Sequence, residues 1–305
     1  MNTVLITGIG GYVGSAVLSA VPVRYRVVGF GRGRNFDVAR RIAKERGLTL
    51  ALIRGDIADP WTVRHAAGAV NAVVHTAGIV GNNACLKDPW EAMRVNIRGA
   101  RSLVEAIGSR TRLIHISTQS VYGTFAERPM PLRETMRMQP DDLYGATKAE
   151  AEWEIGRARG IILRATSLYG IGSGAGHKKN VISKFVAMAS EGKPITLFGD
   201  GSQGVDFVHV RDLAAAVVAA LAAPRSASGT YNVGTGRATP MREVAALVQA
   251  QIPGARIAYE PAPPGKLWPS RWVSVSKARR VLGWKPAIAL ADGIADVVAY
   301  HHENN

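Results

Sequence analysis

Two residues of the chain, Tyr144 and Lys148, have the types and the spacing that proton transfer requires. Residues four apart on a helix lie on one face, so the lysine ammonium is expected near the tyrosine phenol. A free phenol, with a pKa of about 10, is too protonated at neutral pH to act as a base. A nearby cation in a partly dry site favours the phenolate, so the pair predicts a base for the proton of a carbinol. Taken alone, the pair also fits a surface tyrosine and a solvated lysine.

A glycine-rich turn near the amino terminus supplies the other half of such a reaction. Residues 4–6 form a short apolar run typical of a buried parallel strand, and helical character follows the turn at residues 7–14. In such a unit Gly8 permits the tight turn, Gly11 lets the backbone approach a pyrophosphate, and Gly14 lets helix pack on strand. The phosphate then lies at the helix amino terminus. The turn and the Tyr–Lys pair together predict hydride transfer with a nicotinamide dinucleotide.

The composition is that of a globular chain with a large core. Of the 305 residues 47% are hydrophobic and 20% are charged, and no apolar stretch approaches the roughly 18 residues of a membrane span. The single cysteine, Cys85, excludes an intramolecular disulfide and fits the reducing cytoplasm, and we expect no cleavable signal. The net charge is +15, but the arginines are dispersed, so we expect a surface that attracts anionic small molecules rather than nucleic acid.

The order of apolar runs indicates how the chemistry is positioned. Strand-like runs occur at residues 26–30, 48–53, 72–75, 112–116 and 160–163. Their alternation with helix-length stretches predicts an α/β fold with a doubly wound parallel sheet. We predict a dinucleotide-binding domain over residues 1–165 and a smaller, mainly substrate-binding α/β domain over residues 166–305. Part of residues 205–235 is expected to pack back on the first domain.

The whole chain resembles the extended short-chain dehydrogenase/reductase family, in its sugar-nucleotide epimerase/dehydratase branch. Beyond the two motifs above, the resemblance rests on residues 55–57, 74–78, 95–99, 116–123, 198–210 and 282–286. It implies a Rossmann-type sheet and a catalytic triad of Thr118, Tyr144 and Lys148. In that triad the threonine hydroxyl hydrogen-bonds the reacting oxygen while the tyrosine exchanges its proton. The resemblance also implies a homodimer.

The glycine turn, the resemblance and the departures from it described below together predict the residues that bind cofactor and substrate. The cofactor-binding residues are Gly8, Gly11, Tyr12, Val13, Gly14, Arg32, Arg34, Asp56, Ile57, Thr76, Ala77, Gly78, Asn96, Ser117, Tyr144 and Lys148. Among these, Asp56 is expected to meet the adenine. The substrate-binding residues are Gln119, Ser167, Lys178, Val205 and Arg271. We expect a sugar or sugar-like small-molecule substrate, and predict neither a metal site nor a membrane partner.

A departure from the family pattern after the second strand concerns the cofactor. Residues 27–34 contain no carboxylate to accept the ribose hydroxyls of NAD, and Arg32 and Arg34 follow instead. A guanidinium suits a 2′-phosphate through charge-assisted hydrogen bonds, whereas a carboxylate would repel it. The sequence therefore favours NADP(H) over NAD(H). The alternative is that both arginines are solvated loop charges and NAD(H) binds.

Further departures concern the substrate. The branch's dehydratases have an Asp–Glu pair where this chain has Gln119 and Ser120, so we do not expect dehydration. Ser167 replaces an asparagine, Val205 replaces an arginine, and residues 263–266 lack the arginine and the acid of an R-P-G-D motif. These positions usually hold the substrate's diphosphate, so we expect weak binding of UDP or dTDP. Replacement cations are available at His177, Lys178, Lys179, Lys184 and Arg271.

Three functions fit these observations. The first is an NADP(H)-preferring oxidoreductase acting on a secondary alcohol or ketone of a sugar or sugar-like metabolite. The second is a nucleotide-sugar 4-epimerase that retains its cofactor. The third is a non-catalytic dinucleotide sensor, which ranks last because such a protein has no need to keep Thr118, Tyr144 and Lys148 together. Cofactor turnover separates the first two, since a reductase consumes NADPH stoichiometrically and an epimerase shows no net consumption.

Overall fold

The computed structural model describes residues 2–123, 128–172, 180–263 and 269–304. The strands are β1 (Asn2–Thr7), β2 (Tyr25–Gly31), β3 (Thr49–Arg54), β4 (Ala72–His75), β5 (Arg112–Thr118), β6 (Ile161–Ala165), β7 (Ser167–Tyr169), β8 (Ile195–Phe198), β9 (Gly204–Val205), β10 (Phe207–His209), β11 (Gly229–Val233), β12 (Thr239–Pro240) and β13 (Ile257–Glu260). The α-helices are α1 (Tyr12–Ala20), α2 (Phe36–Arg46), α3 (Pro60–Ala67), α4 (Asn82–Lys87), α5 (Pro89–Met93), α6 (Gly99–Ala106), α7 (Leu143–Arg157), α8 (Val181–Ser190), α9 (Val210–Ala222), α10 (Met241–Gln251), α11 (Ser276–Leu282) and α12 (Leu290–Glu303).

Seven parallel strands form the central sheet, in the order β11-β6-β5-β4-β1-β2-β3. The chain winds outward from β1 in both directions, which is the doubly wound α/β topology predicted from the sequence. Thr7 is in register with His75, and His75 with His115, so the carboxyl ends of β1, β4 and β5 share one edge. Ligands of such sheets bind outside this edge, where the strand order reverses.

Successive residues of each strand are buried on opposite faces of the sheet, because side chains alternate along a β-strand. Val4 and Ile6 of β1 lie in the core beneath α1 and α9. Leu5 lies in the core beneath α6 and α7 on the other face. Because both faces are covered, β1 is apolar throughout its centre, which explains the continuous run in the sequence.

Residues from the second half of the chain complete the central sheet. Strand β11 pairs with β6, and α9 packs against α1. Asp212 of α9 accepts hydrogen bonds from the amides of Ala287 and Ile288, and its carbonyl accepts one from the Trp284 indole. A separate apolar core lies between α8, α10 and α12 and includes Phe185 and Val248. The boundary between two domains stays a prediction.

Within the described ranges, no helix combines the length and the hydropathy needed to cross a bilayer.

Candidate active site

The turn after β1 forms a narrow cradle in which glycine is required. Gly8 has a φ of +69°, and a Cβ atom there would lie 2.9 Å from the Ala77 backbone. A Cβ atom on Gly14 would lie 2.2 Å from the Gly8 carbonyl oxygen. Gly11 is the amino-terminal cap of α1, and its amide donates to the Gly8 carbonyl at 2.8 Å. This arrangement places the positive end of the α1 dipole at the carboxyl end of β1, a geometry that fits a pyrophosphate.

The segment after β4 packs against this cradle. The Thr76 hydroxyl donates to the Thr7 carbonyl at 2.7 Å, and the Ala77 amide donates to the Thr7 hydroxyl at 3.3 Å. Asn96, in the π-helical turn Arg94–Arg98, accepts from the Ile79 amide at 2.8 Å and donates to the Ile79 carbonyl at 3.0 Å. The predicted cofactor residues Thr76 and Ala77 are therefore adjacent to the glycine turn, and Asn96 packs against the following residues Gly78 and Ile79.

Tyr12 and Val13 have different environments at the start of α1. The Tyr12 hydroxyl donates to the Gly170 carbonyl at 3.1 Å, and a Cβ atom on Gly172 would lie 2.4 Å from the tyrosine ring. Burial, together with the nearby Tyr169, raises the pKa of the Tyr12 phenol. Val13 packs against the core beneath α1. Tyr12 thus ties the glycine turn to the loop after β7.

Thr118 and Tyr144 come together at the carboxyl edge of the sheet. Thr118 ends β5, and its hydroxyl is near enough to the Tyr144 phenol to influence the pKa of that phenol. The Thr118 hydroxyl itself donates to the Ser120 hydroxyl at 3.3 Å. Helix α7 begins beside it because Asp142 accepts a hydrogen bond from the Gly145 amide at 2.6 Å. Tyr144 is consequently held in the first turn of that helix. Burial raises the pKa of Tyr144, as do Cys85 and Asp142, while the nearby Thr118 hydroxyl lowers it.

Lys148 lies one turn further along α7 and points towards β5. Its Nζ atom is 2.9 Å from His115 Nε2 and donates to the Ile116 carbonyl at 2.6 Å. Burial lowers the pKa of Lys148 to about 8, and Glu152 opposes that shift. The sequence predicted an ammonium beside the phenol. The side chain reaches two acceptors at the end of β5, which only the folded sheet brings within range, and its effect on the phenol stays a prediction.

Two buried histidines lie behind Lys148. His75 and His115 have ring centroids 5.0 Å apart, and His75 Nδ1 is 2.8 Å from the Thr7 hydroxyl oxygen. Burial, with Lys148 adding to it, lowers the pKa of His75 to about 3 and that of His115 well below its usual value. A neutral His115 can accept a hydrogen bond from Lys148 through Nε2. The sequence analysis missed this pair, although His115 and Ser117 are polar residues on one face of an otherwise apolar strand.

A buried ion pair supports the same edge. The Ser117 hydroxyl donates to Glu152 at 2.5 Å, and Arg164 donates to Glu152 at 2.7 Å. The Arg164 guanidinium lies 4.7 Å from the centre of the Tyr122 ring, whose hydroxyl donates to Asn232 at 2.7 Å. These contacts join β5, β6, α7 and β11. Because the Ser117 hydroxyl already donates its proton to Glu152, contact of Ser117 with the cofactor stays a prediction.

Four charged side chains meet at the carboxyl ends of β2 and β3. Arg32 lies 2.5 Å from a Glu91 oxygen and 3.5 Å from an Asp56 oxygen. Arg94 donates to Asp56 at 2.8 Å and to Glu91 at 2.6 Å. These hydrogen bonds, chiefly those from Arg94, lower the pKa of both carboxyls. We call Arg32, Asp56, Glu91 and Arg94 the adenosine-end network, because these strand ends hold the adenosine of a dinucleotide in such sheets.

The other residues predicted at this end are differently placed. Arg34 is exposed, and its carbonyl oxygen would lie 2.2 Å from a Cβ atom on Gly10. Ile57 is buried against Gly99. Arg32 is paired with neighbouring carboxylates, and a phosphate site formed by Arg32 and Arg34 together stays a prediction.

Three predicted substrate residues are brought together from distant parts of the chain. Val205 forms a parallel β-bridge with Arg271. The Arg271 amide donates to the Gly204 carbonyl at 3.0 Å, and the Ser167 amide donates to the Asp206 carbonyl at 3.1 Å. Residues paired across adjacent strands project to the same face, so the Arg271 and Val205 side chains leave the sheet on one side. Burial lowers the pKa of Arg271.

Gln119 is buried just beyond Thr118, with 5% of its surface exposed. Its Oε1 atom finds no hydrogen-bond partner among the residues that the structure describes, and neither does the Thr166 hydroxyl. Thr118 pairs with Ala165, so both atoms follow adjacent strand ends. The sequence analysis missed Thr166. Lys178, His177 and Lys179 lie outside the described residues.

The chain belongs to the NAD dependent epimerase/dehydratase family, whose model matches residues 4–234. It is therefore an enzyme of the NAD(P)-dependent oxidoreductase and epimerase class within the short-chain dehydrogenase/reductases. The UDP-glucose 4-epimerase of Mycolicibacterium smegmatis is 30% identical, over 97% of each chain. The dTDP-glucose 4,6-dehydratase of Streptomyces niveus is 26% identical, over 99% of this chain and 93% of that protein.

Solved structures extend the similarity to the whole fold. The UDP-glucose-4-epimerase of Stenotrophomonas maltophila, with bound NAD and formylated UDP-arabinopyranose, superposes with a TM-score of 0.88. It is 25% identical and covers 100% of this chain and 99% of its own.

Proposed function

We propose that the chain is a 4-epimerase of nucleotide-linked sugars that retains its dinucleotide. The observation that carries this proposal is the proximity of Thr118 to Tyr144 at the carboxyl edge of the sheet, the edge that also carries the glycine cradle, in a chain whose full length matches UDP-sugar 4-epimerases. The epimerase, second among the functions inferred from sequence, thus moves ahead of the free reductase.

Residues of this chain are proposed to hold the pyrophosphate at the centre of the dinucleotide and its nicotinamide half. The Gly8–Gly14 cradle would hold the pyrophosphate, and the segment held by Asn96 would flank the nicotinamide half. A bound nicotinamide supplies the acceptor, and later the donor, for the hydrogen on the reacting carbon. Residues of the chain carry out every proton transfer of the proposed reaction.

Tyr144 is the proposed base and acid. Its phenolate accepts the carbinol proton as the C–O bond becomes C=O, and its phenol returns that proton to the oxygen of the epimer. Thr118, beside the phenol, is proposed to hydrogen-bond the same substrate oxygen. Burial by itself holds the phenol protonated, so a positive charge is needed to favour the anion. Lys148, with a pKa of about 8 and one helical turn away, is the proposed source of that charge.

The proposed resident cofactor is NAD(H). Arg32 is already paired with Glu91 and Asp56, which removes the surplus positive charge on which the NADP(H) prediction rested. The structural neighbour with the 0.88 TM-score binds NAD. The preference for NADP(H) stays a prediction without further support.

Arg271 is the proposed diphosphate ligand in this protein. It pairs with Val205, the position at which the family pattern has an arginine, and projects from the same side of the sheet. A guanidinium on the paired neighbouring segment would keep the charge-assisted contact with a phosphate oxygen. Gln119, with its buried carbonyl oxygen, is the proposed hydrogen-bonding partner of a sugar hydroxyl.

Dehydration remains outside the proposed chemistry. The side chains of Gln119 and Ser120, at the positions of the dehydratases' acid and base, do not titrate in the working pH range. The Ser120 hydroxyl moreover accepts a hydrogen bond from the Thr118 hydroxyl at 3.3 Å.

We also propose a homodimer in the cytoplasm. Trp90 on α5 and Trp153 on α7 are 79% and 58% exposed, and contact with a second copy of the chain would remove both apolar surfaces from water. Light scattering during size-exclusion chromatography tests the oligomeric state.

Proton NMR of UDP-glucose incubated with the protein and substoichiometric NAD tests the proposed activity. We expect the C4 epimer to accumulate with no net formation of reduced cofactor. Stoichiometric consumption of NADPH with a ketone substrate, and no epimer, would identify a reductase instead.

A further inference from the structure

We propose that Glu91 determines cofactor specificity. Its carboxylate lies at the adenosine end of the dinucleotide site, where the segment after the second strand supplies no carboxylate of its own. This inference rests on the proposed binding of a dinucleotide. Glu91 lies on α5, far in sequence from the loop after β2, where the family pattern carries its own acidic residue. The carboxylate would select NAD(H) over NADP(H).

The structure holds Glu91 in place from three directions. Its amide donates to the Asp88 carboxylate at 3.0 Å, which fixes the start of α5. Its carboxylate accepts from Arg32 at 2.5 Å and from Arg94 at 2.6 Å and 3.0 Å. Arg32 directly follows Gly31, the last residue of β2, so Glu91 reaches the position next to that strand end. This is where the ribose of a bound adenosine lies in doubly wound sheets.

The charges of the adenosine-end network cancel. Arg32 and Arg94 contribute two positive charges, and Asp56 and Glu91 contribute two negative ones. A 2′-phosphate would bring about two negative charges beside two carboxylates, with both cations already satisfied. The neutral ribose hydroxyls avoid that repulsion.

The hydrogen-bonding capacity of Glu91 also suits a ribose. An ionised carboxylate offers about four acceptor positions, and the two arginines occupy three of them among the described contacts. A ribose hydroxyl can donate to the remaining position, whereas a phosphate oxygen carries no proton to donate. The same group thus attracts one cofactor and repels the other.

Substitution Glu91→Gln removes the charge and keeps the shape. Calorimetric titration of NADH and NADPH into wild type and variant measures the ratio of the two dissociation constants. We expect the ratio to shift about tenfold towards NADPH in the variant, because Arg32 and Arg94 become available to the 2′-phosphate.

Glu45→Gln is the matched control. It removes the same charge from α2, where Glu45 pairs weakly with Arg41 at 4.0 Å. The control should leave the ratio unchanged, which separates a local contact from a change in overall charge. Thermal unfolding of Glu91→Gln and Glu91→Ala verifies that both variants fold.

For a protein that binds dinucleotides, three results would overturn the inference. An unchanged ratio in both Glu91 variants would remove Glu91 from cofactor selection, and so would an equal loss of affinity for both cofactors. A wild-type preference for NADPH would contradict the selection itself. A wild-type protein that binds neither dinucleotide would overturn this inference together with the proposed function, whereas normal binding without epimerase activity would overturn the proposed activity alone.

Discussion

The cofactor side and the substrate side of the site are built in different ways. The glycine cradle and the Thr118–Tyr144 pair follow directly from short stretches of sequence at the ends of strands and the start of a helix. On the substrate side, Val205 and Arg271 meet only through a two-residue bridge between distant segments. A local motif must keep its residues in place, whereas a surface assembled from separate strands can move a charge from one strand to its neighbour. We therefore expect that residues of the cofactor side cannot be replaced without loss of function. On the substrate side, a charge lost from one strand can be replaced by a charge on its neighbour.

The largest effect is expected from Tyr144→Phe on the cofactor side. Only the phenol oxygen is lost, so turnover should fall by at least about 100-fold while binding of the dinucleotide is unchanged. Steady-state rates and calorimetry on the same preparation measure both. Near-native turnover would remove Tyr144 from catalysis.

Arg271→Ala tests compensation on the substrate side. Loss of a charge-assisted hydrogen bond of about 1.5–3 kcal/mol should weaken UDP binding by roughly 10- to 150-fold, with uridine binding unchanged. Introducing Val205→Arg into the Arg271→Ala variant should restore part of the affinity, because the two positions are paired.

Arg280→Ala, on the exposed surface of α11, is the control for loss of one positive charge. If Arg271→Ala and Arg280→Ala bind UDP equally well, the diphosphate is held elsewhere.

Lys148→Met tests whether burial lowers the pKa of Lys148, the proposed source of positive charge near the phenol. Burial lowers the pKa of Lys148 from 10.5 to about 8, so between these values the unfolded chain binds more protons than the folded one. The free energy of unfolding of the wild type, relative to the variant, should therefore rise with pH. From about pH 8 to about pH 9.5 the rise should be about 2 kcal/mol.

Urea denaturation of both proteins across this range measures that difference. A difference independent of pH would show that Lys148 titrates at its ordinary pKa in the folded protein. The constant offset caused by the lost hydrogen bonds does not affect the slope.

The smallest effect concerns the double substitution Arg32→Ala and Arg34→Ala. If these arginines formed a phosphate site, NADPH binding would weaken by roughly 10- to 150-fold and NADH binding would hardly change. Because Arg32 is already paired with Glu91 and Arg34 is exposed, we expect a loss of NADPH affinity below about fivefold. Titration of both cofactors distinguishes the two interpretations.

The sequence predicted the doubly wound sheet and the family because both depend on local signals, namely apolar runs, glycine spacing and strand-end motifs. It did not predict that Lys148 contacts His115, or that Glu91 pairs with Arg32. Each of these contacts joins residues more than thirty positions apart, and no periodicity within one element encodes it. The polar alternation along β5 was a signal for His115, but its partner depends on how α7 packs on the sheet.

The measurement that tests the account most directly follows the hydrogen on the reacting carbon. UDP-glucose is incubated in deuterium oxide with the wild-type protein and substoichiometric NAD, and the C4 position of both sugars is examined by NMR. The account predicts that the C4 epimer forms with its original hydrogen retained, and that Tyr144→Phe suppresses its formation. Solvent deuterium at C4 of the product would contradict transfer through a retained dinucleotide.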